Sequence, residues 1–168
     1  MTNEEVRIKA NDIYREHTLK TPIQLVKLAN ELGYEVKVSN LSNMDKDEIN
    51  TVSGAILYDD KTILIDSRQN PNRQRFTLAH EIGHLVLNHR GDENYSIDYR
   101  IDGQSARKEV EANIFASELL APKNEVLKWA EKNKSNDGYV WLAKFVSDFE
   151  MSYQAAEIRL EILGISYV

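Results

Sequence analysis

His80 and His84 stand four residues apart, and Glu81 directly follows the first of them. On an α-helix, residues four apart lie one turn along the same face, with Cβ atoms about 5–6 Å apart. Two imidazoles so placed reach a single zinc ion through bonds of about 2.0–2.1 Å. Glu81 lies about 100° round the helix from His80, so it can flank the ion without binding it. From there a carboxylate can take a proton from a zinc-activated water and pass it on. The spacing therefore points to metal-assisted hydrolysis, with His80 and His84 as ligands and Glu81 as the catalytic acid–base.

A catalytic zinc needs a third protein ligand and an open fourth position. The chain of 168 residues has no cysteine and four histidines, so the third ligand must come from His, Asp or Glu. His89 is five residues beyond His84, and an unbroken helix carries it about 140° off the His84 face. A metzincin would place its third His six residues on, after a glycine turn, and Leu87 occupies that glycine's slot. His17 is remote in sequence and reads as a surface residue. A glutamate on a second helix is the better candidate, and Glu109, Glu111 and Glu118 fall in one helical stretch. Glu111 and Glu118 share a face with Phe115. A carboxylate turned inward beside Ile114 and Phe115 is costly unless it is paired or bound to a metal. Spacing alone leaves Glu109 and Glu111 unseparated.

The elements that must position these groups follow from pattern. Residues 4–17 read as a helix, and a second starts at Thr21, with Pro22 at its first position and Gly33 at its end. Residues 34–38 alternate as a strand, and 39–50 read as loop. Strands at 52–58 and 62–66 form a hairpin around Asp59 and Asp60. Asn70 and Pro71 open the helix that carries the His pair, and it should run to about Arg90. Gly83 in its interior costs about 1 kcal/mol against alanine, which suggests a close approach by a neighbour. A polar loop at 91–103 leads to the Glu-bearing helix at 104–121. Pro122 opens another to about Lys132. After a breaker at 133–138, helices near 139–149 and 152–163 close the chain, with Ser152 as N-cap and Gly164 as stop. Helices around one small sheet make the class α+β.

Composition narrows the function further. Hydrophobic residues are 42% and the net charge is −6, which is too apolar and too weakly charged for disorder. The absence of cysteine excludes a disulfide scaffold, a thiol nucleophile and any zinc site built on sulfur. No apolar run of about 18 residues is present, and the first 17 residues lack the apolar core of a signal peptide, so the expected location is the cytoplasm.

RFTLAHEIGHLVL at 75–87, followed by EVEANIFASELLAP at 109–122, resembles the ImmA/IrrE family of zinc metallo-endopeptidases. The similarity extends to 21–36 and to 142–165, so it covers nearly the whole chain. It implies a zincin-like, gluzincin-type domain over 1–138, with a C-terminal helix pair at 139–168 packed on it. It also implies Zn2+ held by His80, His84 and Glu111, with Glu81 catalytic and Asn113 supporting or structural. It departs from the family's usual motif at Asn88 and Ala121, neither a proposed ligand. The family's habit implies a protein substrate, a helix-turn-helix repressor of a prophage or mobile element, which the enzyme cleaves or inactivates.

Tyr95, Tyr99 and His89 are candidates for stabilising the oxyanion, and the hairpin strand nearest the cleft could pair with an extended substrate. Two other readings compete. Residues 142–163 have the length of a helix-turn-helix, but 140–168 carry Lys144 and Arg159 against Asp148, Glu150, Glu157 and Glu161, a local −2. That balance disfavours direct DNA binding. A non-proteolytic antirepressor with a structural zinc is disfavoured by the open coordination position.

Overall fold

The computed structural model describes residues 1–48, 51–90, 95–97 and 103–168, of which 95–97 and 103–105 are described by backbone alone. A four-stranded sheet lies against a layer of helices. The helices are α1 (Asn3–Glu16), α2 (Leu25–Glu31), α3 (Pro71–Val86), α4 (Gly103–Leu120), α5 (Lys123–Asn133), α6 (Leu142–Phe149) and α7 (Tyr153–Ile162). The strands are β1 (Glu35–Ser39), β2 (Gly54–Leu57), β3 (Thr62–Asp66) and β4 (Tyr95–Ile97), in the order β1-β3-β2-β4. β1 runs parallel to β3, and β2 runs antiparallel to both β3 and β4.

Several elements start where local chemistry says they should. Thr2 caps α1 in a reciprocal box with Glu5. Asn70 caps α3 by accepting from the Arg73 amide at 3.0 Å, with Pro71 at the first helical position. Ser152 caps α7 by accepting from the Ala155 amide at 3.1 Å.

Other elements differ from the sequence expectation. α2 begins at Leu25 rather than Thr21. The segment before it, which contains a cis Thr21–Pro22 peptide, is held by tertiary contacts: Ile23 is buried and its carbonyl accepts from Arg75 Nη1 at 3.0 Å. α6 begins at Leu142 rather than near 139, because the Val140 backbone is engaged with the chain's last residues. Its amide donates to Ser166 O, and its carbonyl accepts from the Val168 amide, each at 3.0 Å. β4 lies within a stretch read as loop; three residues are too few to show a period.

The core is continuous from α1 to α7 and includes Ile13, Leu28, Ile63, Ile82, Phe115, Leu119, Phe145 and Leu160. α3 lies on the sheet with α4 across it. Gly83 makes that crossing close, because a Cβ there would stand 3.1 Å from Phe115 Cδ1 and 3.3 Å from the Ala112 Cα. The near approach that Gly83 suggested is therefore present, and it brings the His-bearing face of α3 onto the Glu-bearing helix.

The C-terminal helix pair is tied to α4 by a buried charge pair. Arg159 of α7 reaches Glu118, and its Nε donates to the Ala121 carbonyl at 2.9 Å. Burial lowers the Arg159 pKa and the Glu118 carboxylate opposes that loss. Asn11 of α1 donates to the same carboxylate at 3.1 Å, so one buried acid holds three helices together.

Candidate metal centre

α3 places His80, Glu81 and His84 in the interior, with Glu81 fully buried. The two Nε2 atoms are 3.0 Å apart. The third group to meet them is Glu109, whose Oε2 is 2.9 Å from His80 Nε2 and whose Oε1 is 3.0 Å from His84 Nε2. These ligand atoms all lie within 4.8 Å of one another. Glu111, which the family resemblance suggested as third ligand, is turned elsewhere: its Oε2 is 2.8 Å from His89 Nε2, and Arg107 Nε donates to its Oε1 at 3.0 Å. Two residues along a helix is a rotation of roughly 200°, so Glu109 and Glu111 cannot both face the His pair.

The outer nitrogens fix what the inner ones can do. His80 Nδ1 is 2.7 Å from Asn113 Oδ1, a carbonyl oxygen that only accepts, so this nitrogen carries the proton. In the neutral ring, His80 Nε2 is then a lone pair directed at a carboxylate and at a second imidazole nitrogen. Electron-pair donors gathered this closely suit a cation. Two imidazoles and one carboxylate are a donor set of catalytic zinc. In a tetrahedral zinc site the donor atoms are about 3.3 Å apart, so the observed spacings need only a small expansion. Glu109 and Asn113 are four apart on one face of α4. That spacing is the sequence signal that could have singled out Glu109, since it puts a carboxylate facing the His pair in line with an amide that holds His80.

His89 is not remote from the site, as an unbroken helix would make it. α3 ends at Val86, Asn88 takes a left-handed φ of 55°, and the His89 amide donates back to the His84 carbonyl at 3.0 Å. The turn brings His89 Nδ1 to 2.8 Å from His84 Nδ1. Burial holds the His89 imidazole below its ordinary pKa, although the bond to Glu111 works the other way. Burial would raise the Glu111 carboxyl, but the hydrogen bonds from His89 and Arg107 outweigh it and hold the group below the ordinary carboxylate value. His17, read as a surface residue, has a partner: its Nδ1 is 2.7 Å from Glu31 Oε2, away from the centre. Tyr99 lies outside the described residues, and only the backbone of Tyr95 is described.

Glu81 is accommodated by a glycine of the sheet. A Cβ at Gly54 would stand 2.8 Å from Thr77 Cγ2 and 2.9 Å from Glu81 Oε1, so β2 can pass this close only without a side chain there. A cavity of about 660 Å³ opens beside His80 and Glu109, walled by Phe76, Val110, Ile114 and Ile158. A three-donor centre at a cleft, with an acid on the next residue of the helix, is the arrangement of an HExxH metallohydrolase.

The comparisons agree with that class. The peptidase family described as the IrrE N-terminal-like domain matches residues 29–161. The chain belongs to this ImmA/IrrE metallopeptidase family. It is 36% identical over 83 residues to the radiation response metalloprotease IrrE of Deinococcus radiodurans, a match covering 47% of the chain and 25% of that protein. It is 27% identical over 114 residues to the metallopeptidase ImmA of Bacillus subtilis, covering 64% of the chain and 67% of the relative. The chain thus spans about a quarter of the length of IrrE. In fold it is similar to a Mycobacterium tuberculosis transcriptional regulator, with a TM-score of 0.64 and 18% identity, covering 94% of this chain and 46% of that one. Among the described residues, no helix is long and apolar enough to cross a membrane.

Proposed function

We propose that this chain is a zinc-dependent endopeptidase that cleaves or inactivates a helix-turn-helix repressor of a prophage or mobile element. The observation that carries the hydrolytic part is the meeting of His80 Nε2, His84 Nε2 and the Glu109 carboxylate beside buried Glu81. His80, His84 and Glu109 would hold the ion; this places Glu109 where the family resemblance placed Glu111. When bound, the ion supplies Lewis acidity, which favours ionisation of water and polarises a carbonyl. Asn113 and His89 hold the two rings with their Nε2 atoms inward. Glu81 accepts the proton of the attacking water and returns it to the leaving amine.

The substrate would lie in the cleft between the Thr51–Ser53 segment and the walls from α4 and α7. β2 does not offer a free edge there over Ala55–Leu57, because it is paired to β3 on one side and β4 on the other. The repressor part of the proposal rests on membership of the ImmA/IrrE family. A DNA-binding role for the C-terminal pair gains no support from its cations. Arg159 is buried on Glu118, and Lys144 donates to Asp148 at 2.9 Å.

The test is co-expression with a candidate helix-turn-helix repressor from the same genome, using wild type and Glu81→Gln. Cleavage by the wild type alone, located by mass spectrometry, is the expected result. Equal repressor loss with Glu81→Gln would refute the hydrolytic mechanism.

A further inference from the structure

His80 and His84 are supported in different ways. His80 Nδ1 meets a neutral amide oxygen at once, whereas His84 Nδ1 meets a second imidazole, which meets a carboxylate. Only one proton arrangement satisfies that second chain when His84 Nε2 is a ligand lone pair. His84 Nδ1 then carries its proton and donates to His89 Nδ1 at 2.8 Å. His89 Nδ1 must accept, so the His89 proton sits on Nε2 and is donated to Glu111 Oε2 at 2.8 Å. Arg107 Nε completes the row by donating to Glu111 Oε1 at 3.0 Å.

The row is built into the fold. The His89 and Glu111 side chains are 7% and 9% exposed, so water competes little for these bonds. The left-handed turn at Asn88 and the bond from Lys108 Nζ to the His89 carbonyl at 3.1 Å hold the ring in place. Neither residue is within the donor cluster itself. We propose that His89 and Glu111 are positioning residues of the metal centre, which fix the tautomer and orientation of His84 and extend a carboxylate's influence to it through one imidazole. This rests on the reading of His80, His84 and Glu109 as the ligands. Partners that orient a metal-bound histidine commonly change metal affinity by about 10–100-fold when removed.

The experiment measures zinc affinity of the full chain by competition with a chromophoric chelator, alongside circular dichroism of the metal-free proteins. The variants are His89→Phe, His89→Gln, Glu111→Gln and the double His89→Phe/Glu111→Gln. Phenylalanine keeps the ring packing and loses both polar atoms. Glutamine keeps one acceptor and one donor, so it can bridge His84 to Glu111. His89→Phe and Glu111→Gln should each weaken zinc binding about tenfold to hundredfold. His89→Gln should recover most of the loss, and the double variant should be no worse than His89→Phe, because Glu111 acts through His89.

Wild-type affinity in His89→Phe would overturn the proposal, as would a Glu111→Gln loss that adds in full to that of His89→Phe. Full additivity would make Glu111 an independent contributor. Glu109→Gln separates the two levels of the argument. If wild type takes up no zinc, or Glu109→Gln binds it as wild type does, the ligand assignment itself fails. If Glu109→Gln loses zinc but the His89 and Glu111 variants do not, only the positioning role fails.

Discussion

Gly54→Ala adds one methyl group at the point where the sheet passes closest to Glu81, and its consequences separate activity from metal binding. The new Cβ would be 2.8 Å from Thr77 Cγ2, 2.9 Å from Glu81 Oε1 and 3.1 Å from Glu81 Cγ, whereas ordinary contacts begin near 3.4 Å. Thr77 has little freedom to give way. It is β-branched within a helix, and its Oγ1 donates to Gln69 Oε1 at 3.0 Å. Glu81 must therefore take much of the movement, by about half an ångström at its carboxylate end. Overpacking of this kind costs about 1–3 kcal/mol, offset by about 0.5–1 kcal/mol from removing a flexible glycine. The net loss of stability is then about 2.5 kcal/mol or less, small against the roughly 5–15 kcal/mol typical of a domain, which leaves the chain folded. A misplacement of about 1 Å can cost 100-fold in rate, so kcat should fall roughly tenfold to hundredfold. The proposed ligands His80, His84 and Glu109 are not touched, so metal content should stay at the wild-type level. The assay is kcat on a peptide that the wild type cleaves, with zinc stoichiometry and a urea unfolding curve on the same preparations. Unchanged kcat with unchanged stability would show that Glu81 does not need this space.

Glu81→Gln should retain zinc and lose about 100- to 10,000-fold in peptide hydrolysis, read as kcat at saturating metal. Glu109→Gln should lower zinc affinity further than Glu111→Gln, measured with the same chelator, because Glu109 is a proposed ligand, whereas Glu111 reaches the centre only through His89 and His84. Glu118→Ala would leave the Arg159 guanidinium buried without its partner; breaking such a pair costs about 3–5 kcal/mol, visible in urea unfolding. The Asp45 carboxyl is held below its ordinary pKa by hydrogen bonds from Arg68 and from the Val52 amide. A lowered folded-state pKa stabilises above the unfolded value near pH 4, and that contribution is lost as pH falls through the folded value. Asp45→Asn should therefore flatten the acid limb of stability against pH below about pH 4, with little change in its slope at neutral pH.

The strongest local signals in the chain named the right elements. Asn70 and Pro71 start α3 and Ser152 caps α7, each through an interaction within a few residues, while Gly83 marks the close crossing with α4 by the side chain it lacks. The structure departs from local pattern where distant residues decide. The carbonyl of Ile23 is taken by Arg75 and the backbone of Val140 by the chain's end, so α2 and α6 start later than their patterns suggest. A three-residue strand such as β4 has no pattern to read.

The sequence by itself determined which side chains of α3 stand together. Two histidines four apart must share a face, and the residue after the first must lie beside them, because helix geometry is local. It also narrowed the candidates for a third donor to the glutamates of one helix. Which glutamate meets the histidines depends on how α4 is rotated against α3, and that rotation is set by the packing of Gly83 on Phe115 and Ala112. Tertiary structure alone turned Glu109 toward the histidines and Glu111 toward His89. The return of His89 was likewise decided outside the helical pattern, by one left-handed residue at Asn88. A periodic sequence fixes the direction of a side chain relative to its own helix; the packing between helices decides what that side chain meets.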